Sequence, residues 1–144
     1  MLFIITKYAI FNQNMLSPSV SMKSKILPVD DSPFFVNVFE HVLSHRYKVE
    51  VAVEAETALQ KYKAFKPNIV TLDPDMSGMN GFQMLEKILG IDRNAKVIIT
   101  TARAFLTGDE CLKRGAVGLL TKPFKSEDLI RTIEQSLASI KLVH

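Results

Sequence analysis

The chain has almost no cysteine and no long apolar run. Cys111 is the only cysteine among 144 residues, so no disulfide can form within the chain, and a reducing, cytoplasmic setting is expected. The apolar stretch 2–11 is interrupted by Thr6 and Lys7 and is shorter than the roughly 20 residues that span a bilayer. It also lacks the basic start and small-residue cleavage site of a secretory signal. We therefore expect neither a membrane span nor a signal peptide.

A strong excess of one charge is also missing. Lys and Arg number 18 and Asp and Glu 15, which gives a formal charge of +3. Part of this surplus comes from Lys7, Lys23 and Lys25, outside or at the edge of the predicted fold. No run of basic residues is interleaved with aromatic ones, so the sequence disfavours direct nucleic-acid binding.

Length and composition favour one globular domain. A chain of 144 residues, 47% hydrophobic and 23% charged, is long enough for one core and short for two ordinary domains. Residues 1–22 include polar, linker-like stretches at 12–14 and 17–19, and we predict a disordered N-terminal extension there, with a short helix or a partner-binding tail as the alternative. Residues 23–144 are predicted to form the domain, with no appended output domain.

Strand-like and helix-like segments alternate along this domain. Short apolar or alternating runs predict strands at 26–29, 47–53, 69–72, 96–101 and 117–120. Apolar residues at helical spacing predict helices at 55–65, 81–89 and 107–114, and behind Ser32 and Ser126, which are predicted as N-caps. The last helix is predicted to have an apolar stripe that ends at Ile140. The alternation indicates an α/β fold with a five-stranded parallel sheet and helices on both faces.

Polar residues follow the predicted strands. Asp30 and Asp31 end the first strand, Asp73 the third, Thr101 the fourth and Lys122 the fifth. The carboxyl ends of parallel strands share one edge, so these side chains are expected to converge there. Clustered carboxylates favour Mg²⁺, and a lysine and a hydroxyl beside them are suited to hold phosphoryl oxygens. The pattern predicts a metal-assisted site for phosphoryl transfer to or from a carboxylate.

The chain resembles a known family, the receiver domains of bacterial two-component response regulators. It is similar to their stand-alone chemotaxis and sporulation-relay members. The resemblance covers residues 25–142 and implies the flavodoxin-like strand order 2-1-3-4-5. Its motifs occur in the family's order: Asp30-Asp31, Asp73 with Met79-Asn80-Gly81, Thr101-Ala102, and Lys122-Pro123-Phe124.

The resemblance implies a role for three of these residues in phosphoryl transfer. Asp73 would accept a phosphoryl group from the phosphohistidine of a sensor histidine kinase or phosphotransfer protein. Lys122 would pair with the phosphoryl oxygens, and the bond from Lys122 to Pro123 is expected to be cis. Thr101 would hydrogen-bond the phosphoryl group and couple the site to the face formed by the fourth helix, fifth strand and fifth helix.

The resemblance also implies a cofactor and partners. Asp30, Asp31 and Asp73, together with the backbone carbonyl of Asp75, would bind Mg²⁺. The output would be altered binding to a downstream protein, by a monomer or a phosphorylation-dependent dimer. Turnover would be limited to the domain's own phosphorylation and dephosphorylation, so the chain is not expected to be an enzyme in the usual sense.

Four residues depart from the family pattern. Pro28 lies in a central strand, where proline removes a ladder donor, and predicts a local bulge or a missing hydrogen bond. Pro74 removes a backbone N–H beside Asp73. Ser77 replaces a proline common in this loop. Leu119 stands where the family commonly has Tyr or Phe, which puts the usual rotamer switch in doubt.

Two further residues flank the site at variable positions. Asp75 and Arg103 each lie two residues beyond a motif residue and carry opposite charges. We hypothesise that they form an ion pair across the mouth of the site, which slows the approach of water to phosphorylated Asp73.

Two alternative functions remain open at the level of sequence. The departures Pro28, Pro74 and Leu119 are compatible with a degenerate receiver that binds partners without phosphorylation. The run Asp73-Pro74-Asp75 also looks like the nucleophile motif of haloacid-dehalogenase-type phosphatases. The order of the motifs argues against that family. Its extra acidic pair follows the nucleophile motif, whereas Asp30 and Asp31 precede Asp73 in this chain.

Overall fold

A computed structural model of the protein describes residues 23–78 and 82–140. Within these residues five strands alternate with five helices. The strands are β1 (Lys25–Val29), β2 (Lys48–Val49), β3 (Ile69–Leu72), β4 (Val97–Thr101) and β5 (Gly118–Thr121). The helices are α1 (Pro33–Leu43), α2 (Ala55–Phe65), α3 (Gln83–Ile91), α4 (Gly108–Lys113) and α5 (Ser126–Ala138). Over the same part of the chain, no helix has the length and apolar character needed to cross a membrane.

The strands form one parallel sheet in the order β2-β1-β3-β4-β5. This confirms the predicted α/β fold and its 2-1-3-4-5 order. The register pairs Val29 with Leu72 and Thr101 with Thr121. The strands therefore end at nearly the same level, and the residues that follow β1, β3 and β5 emerge along one edge.

The sheet separates two hydrophobic cores, because successive strand side chains point to opposite faces. In β3, Val70 and Leu72 belong to one core and Ile69 to the other. The first core contains residues of α2, α3 and α4: Ala58, Tyr62, Phe65, Met84, Leu85, Ile88 and Cys111. The second contains residues of α1 and α5: Phe39, Leu43, Leu129 and Ile133. The helices therefore cover both faces, as the alternation of elements predicts.

The two predicted N-caps have different outcomes. The Ser32 side chain accepts a hydrogen bond from the Phe35 N–H at 3.4 Å, and Pro33 begins α1, which confirms the first. The second is wrong, because Ser126 is the first helical residue of α5. The extended residue before it is Lys125, and the helix start has no side-chain cap. Asp128 and Glu127 still place negative charge in the first turn, where it favours the helix dipole.

Strand β2 is much shorter than the predicted 47–53, and Pro28 accounts for the break. The carbonyls of Ile26 and Pro28 accept hydrogen bonds from Glu50 N at 3.3 Å and Ala52 N at 3.0 Å. In a parallel sheet, the N–H and the C=O of one residue point to the same neighbouring strand. An N–H at position 28 would therefore donate to the carbonyl of Glu50, and proline has no N–H to do so. β1 keeps its register through Pro28, and pairing resumes at the bridge between Val29 and Ala52. Of the two predicted alternatives, the ladder thus has the missing hydrogen bond, and β1 keeps its register with β3 without a bulge.

Some other boundaries also differ from the prediction. α3 continues to Ile91, two residues beyond the predicted end at Leu89. α5 ends at Ala138, and Ile140 is 89% exposed, so it does not belong to the buried stripe. The predicted extension 1–22, the motif residues 79–81 and the C-terminal residues 141–144 lie outside the described residues.

Lys96, immediately before β4, makes a contact that the sequence does not indicate. Its Nζ donates hydrogen bonds to the carbonyls of Ser136 at 2.8 Å, Leu137 at 3.3 Å and Ser139 at 2.6 Å. The last carbonyls of a helix have no partner within the helix, and a cation is favourable at this end of the dipole. Lys96 therefore ties the C-terminus of α5 to the sheet.

We predict that Lys96→Met lowers the free energy of unfolding by about 2 kcal/mol, because charge-assisted hydrogen bonds of this kind are lost together. Urea denaturation provides the measurement. Lys87→Met, at an exposed position on α3, is the matched control and should change stability little. Equal stability of the two variants would contradict the assigned role of Lys96.

Candidate functional site

Four predicted site residues reach one edge of the sheet from four different strands. Asp30 directly follows β1, Asp73 follows β3, Thr101 ends β4 and Lys122 follows β5. Parallel pairing of these strands brings together residues that are up to 92 positions apart in the chain. The predicted convergence is therefore present in the structure.

Lys122 joins two of the carboxylates. Its Nζ donates a hydrogen bond to Asp30 Oδ2 at 2.6 Å and another to Asp73 Oδ2 at 2.9 Å. The side chains of Lys122, Asp30 and Asp73 are 7%, 0% and 12% exposed. Charges at this depth are unfavourable without partners, and the hydrogen bonds from Lys122 give both carboxylates such a partner.

Asp31 brings a third carboxylate to the same point. One carboxylate oxygen from each of Asp30, Asp31 and Asp73 lies within 4.8 Å of the others. Asp31 is exposed, and its Oδ2 accepts a hydrogen bond from Ser77 N at 3.1 Å. Three carboxylates face a single ammonium group, so negative charge remains in excess. Oxygen ligands in an open site with such a surplus fit Mg²⁺.

The loop after β3 orients the carboxylate of Asp73. Pro74 has no N–H, and the next residue, Asp75, donates its N–H to Asp73 Oδ1 at 2.8 Å. One oxygen of Asp73 is thus held by the loop and the other by Lys122. The carboxylate is fixed at the surface of the site with a small exposed fraction.

The predicted ion pair between Asp75 and Arg103 is present. Arg103 Nε donates to Asp75 Oδ1 at 2.9 Å, and a second guanidinium nitrogen also contacts this oxygen. Thr101 Oγ1 lies 3.4 Å from Asp75 Oδ2 and accepts the N–H of Arg103 at 3.0 Å. Thr101, Asp75 and Arg103 therefore form one network beside Asp73.

Two groups in the site have shifted pKa values. Burial raises the pKa of Asp30 above its usual value, although hydrogen bonds from Lys122 and from the N–H of Ser32 act in the opposite direction. The hydrogen bond to Asp75 is the main cause that raises the pKa of Arg103. Burial thus disfavours the charge of Asp30, whereas the ion pair further favours the cationic form of Arg103.

Sequence reasoning assigned Phe35 only to the apolar stripe of α1, yet it contacts the site directly. Lys122 Nζ lies 4.1 Å from the centroid of the Phe35 ring. Phe124, which follows the expected cis bond between Lys122 and Pro123, packs beside Phe35 with ring centroids 5.8 Å apart. The available signal was a phenylalanine four residues after the acidic pair, but helical spacing alone does not show that its ring faces a charge.

Comparison with known proteins agrees with this geometry. The profile of the response regulator receiver domain matches residues 26–134. The chain belongs to this family. The receiver is 34% identical over 120 residues to the chemotaxis protein CheY of Thermotoga maritima, an alignment that covers 79% of this chain and 98% of that protein.

Solved receiver structures have the same fold. A CheY-like receiver domain from Methanospirillum hungatei superposes with a TM-score of 0.74 at 29% identity, covering 80% of this chain and 94% of that one. A chain of the CheX-CheY-BeF3-Mg complex from Borrelia burgdorferi superposes with a TM-score of 0.78 at 27% identity, over 88% of this chain and 98% of that one. CheY-like receiver domains are signalling proteins rather than conventional enzymes, so the match favours a receiver over the phosphatase alternative.

We predict that Mg²⁺ stabilises the receiver through the acidic cluster. The free energy of unfolding should rise by about 1.4 kcal/mol for each tenfold increase in free Mg²⁺ above its dissociation constant. Asp31→Asn should be more stable than the wild type in EDTA, because one of three like charges is removed, and should lose most of the response to Mg²⁺.

Thermal unfolding in EDTA and across a Mg²⁺ titration measures both effects. Asp109→Asn removes one negative charge from an exposed position on α4 and is the matched control, which should retain the wild-type response. A Mg²⁺ response that survives in Asp31→Asn, or disappears in Asp109→Asn, would contradict the assignment.

Proposed function

We propose that this chain is a single-domain response regulator whose phosphoacceptor is Asp73. A sensor histidine kinase or a phosphotransfer protein would supply the phosphoryl group in the cytoplasm, and phosphorylation would alter binding to a downstream protein. The observation that carries the proposal is the Lys122 ammonium held between the Asp30 and Asp73 carboxylates, 2.6 and 2.9 Å away. The extensive similarity to CheY proteins supports a role as a separate receiver.

Asp73 is arranged to act as a nucleophile. Its Oδ1 and Oδ2 are held by the Asp75 N–H and the Lys122 ammonium, so the carboxylate faces an incoming donor in a fixed orientation. One oxygen would form a bond to phosphorus as the donor's phosphorus–nitrogen bond breaks and its imidazole leaves. Lys122 would then transfer its hydrogen bond to a phosphoryl oxygen and offset the added charge.

The acidic cluster fits a divalent cation. Asp30, Asp31 and Asp73, with the carbonyl of Asp75, would hold Mg²⁺, which when bound supplies positive charge opposite the phosphoryl oxygens. Within the protein, Asp30 is supported by Lys122 and the N–H of Ser32, so its carboxylate is preorganised for this role.

Thr101 would connect phosphorylation to the surface. Its hydroxyl lies at the end of β4 and contacts Asp75 at 3.4 Å, so turning toward a phosphoryl group would exchange one partner for another. Leu119 is half-buried on β5 and packs against the core of α2, α3 and α4. Because leucine has no hydroxyl or ring to rotate, the response would depend on Thr101 and the loop after β4.

We predict that incubation with acetyl phosphate and Mg²⁺ gives one labile phosphoryl adduct, detected by intact mass spectrometry. The adduct should be absent in EDTA, because the negative charge of the acidic cluster then lacks the divalent cation. It should also be absent in Asp73→Asn, because the nucleophilic carboxylate is missing. Asp109→Asn, on α4, should be phosphorylated normally.

Other outcomes of this experiment distinguish the alternatives. A folded wild-type protein without an adduct would contradict the proposal and favour a binding module that works without phosphorylation. Steady release of phosphate from varied phosphate esters over many turnovers would favour a phosphatase.

We also predict that Arg103→Ala shortens the half-life of phosphorylated Asp73 by about two- to fivefold. The ion pair with Asp75 would lie across the approach of water to phosphorylated Asp73, and exposed pairs of this kind contribute at most about 1 kcal/mol. Loss of the adduct after removal of the donor gives the rate. Arg131→Ala removes a similar surface pair with Asp128 on α5 and should leave the half-life unchanged. An unchanged half-life in Arg103→Ala would contradict the hypothesis.

A further inference from the structure

The Lys122 ammonium contacts carboxylates on two sides and the ring of Phe35 on another. Two of its three N–H donors are directed to Asp30 and Asp73. The ring of Phe35 lies 4.1 Å from Nζ, measured to the ring centroid, and the lysine side chain is only 7% exposed. The face of this ring therefore occupies a place that water would otherwise take.

The Phe35 ring is itself fixed by its neighbours. Phe124 packs beside it with centroids 5.8 Å apart, and Phe39 lies 5.7 Å from Phe124. The backbone N–H of Phe35 donates a hydrogen bond to the side-chain oxygen of Ser32. The backbone N–H of Ser32 in turn donates a hydrogen bond to Asp30 Oδ1 at 2.9 Å. The ring, the acidic end of β1 and the lysine after β5 thus form one connected unit.

We propose that Phe35 is a positioning residue for phosphoryl transfer, because its ring face holds the Lys122 ammonium against Asp30 and Asp73. An aromatic face attracts a cation, and the attraction is strongest where water is excluded. An aliphatic side chain can fill similar space but offers no such face. This inference rests on the proposed function, since the lysine is held where it would meet the phosphoryl oxygens.

The proposal can be tested with beryllofluoride, a stand-in for the phosphoryl group, bound in the presence of saturating Mg²⁺ and measured by calorimetry. Phe35→Leu should bind beryllofluoride about fivefold more weakly, within the range of a buried cation–π contact. Phe35→Tyr retains the ring and should bind like the wild type. Phe34→Leu changes the neighbouring exposed ring, which contacts Phe35 edge-on, and should also bind like the wild type.

Mg²⁺ affinity, measured without beryllofluoride, separates positioning from general damage to the site. It should stay within about twofold of the wild-type value in Phe35→Leu, because the three carboxylates that would hold the ion and the charge of Lys122 are unchanged. Wild-type beryllofluoride affinity in Phe35→Leu, or no rescue by Phe35→Tyr, would overturn the inference.

A double-mutant cycle tests the same contact independently of phosphoryl chemistry. The urea midpoints of Phe35→Leu, Lys122→Met and the double variant should be non-additive, because the second substitution removes a contact already lost. Additive midpoints would overturn the inference. A wild-type protein that binds no beryllofluoride would contradict the proposed function, and the cycle would still decide whether the ring holds the ammonium.

Discussion

The site depends on one buried ammonium group shared by two carboxylates. Lys122 comes from the end of β5, Asp30 from the end of β1 and Asp73 from the end of β3. Removing one member would leave a buried charge without its partner, which is strongly unfavourable. The three strands must therefore end at matching levels, and the parallel register provides this alignment.

Charge balance links this contact to the proposed chemistry. A single ammonium faces the carboxylates of Asp30, Asp31 and Asp73, and burial raises the pKa of Asp30. The surplus of negative charge complements a divalent cation, and a bound cation would in turn permit a further anionic group on Asp73. The proposed metal preference and the proposed phosphoryl acceptance would therefore rest on the same electrostatic arrangement.

Two of the departures from the family pattern, Pro28 and Pro74, change only the hydrogen bonds next to them. Pro28 removes a donor on the side of the edge strand β2, so the break affects the edge rather than the pairing of β1 with β3. Pro74 leaves the next N–H, that of Asp75, to hold the Asp73 carboxylate. Neither proline separates Asp73 from Lys122, which favours a working phosphoacceptor over a degenerate one.

The parallel α/β sheet and the group of residues at its edge could be predicted from the sequence, because strand periodicity and polar residues at strand ends are local patterns. The sequence also indicated the pairing of Asp75 with Arg103, since opposite charges flank two motif residues. The hydrogen bonds of Lys96 to the end of α5 and the position of the Phe35 ring beside Lys122 became known only from the folded structure. The Ser126 cap and the length of β2 were predicted wrongly, because each depends on neighbours distant in the chain or on exact backbone geometry. Contacts between elements arise from packing, and local periodicity carries no information about which side chain across the interface each residue meets.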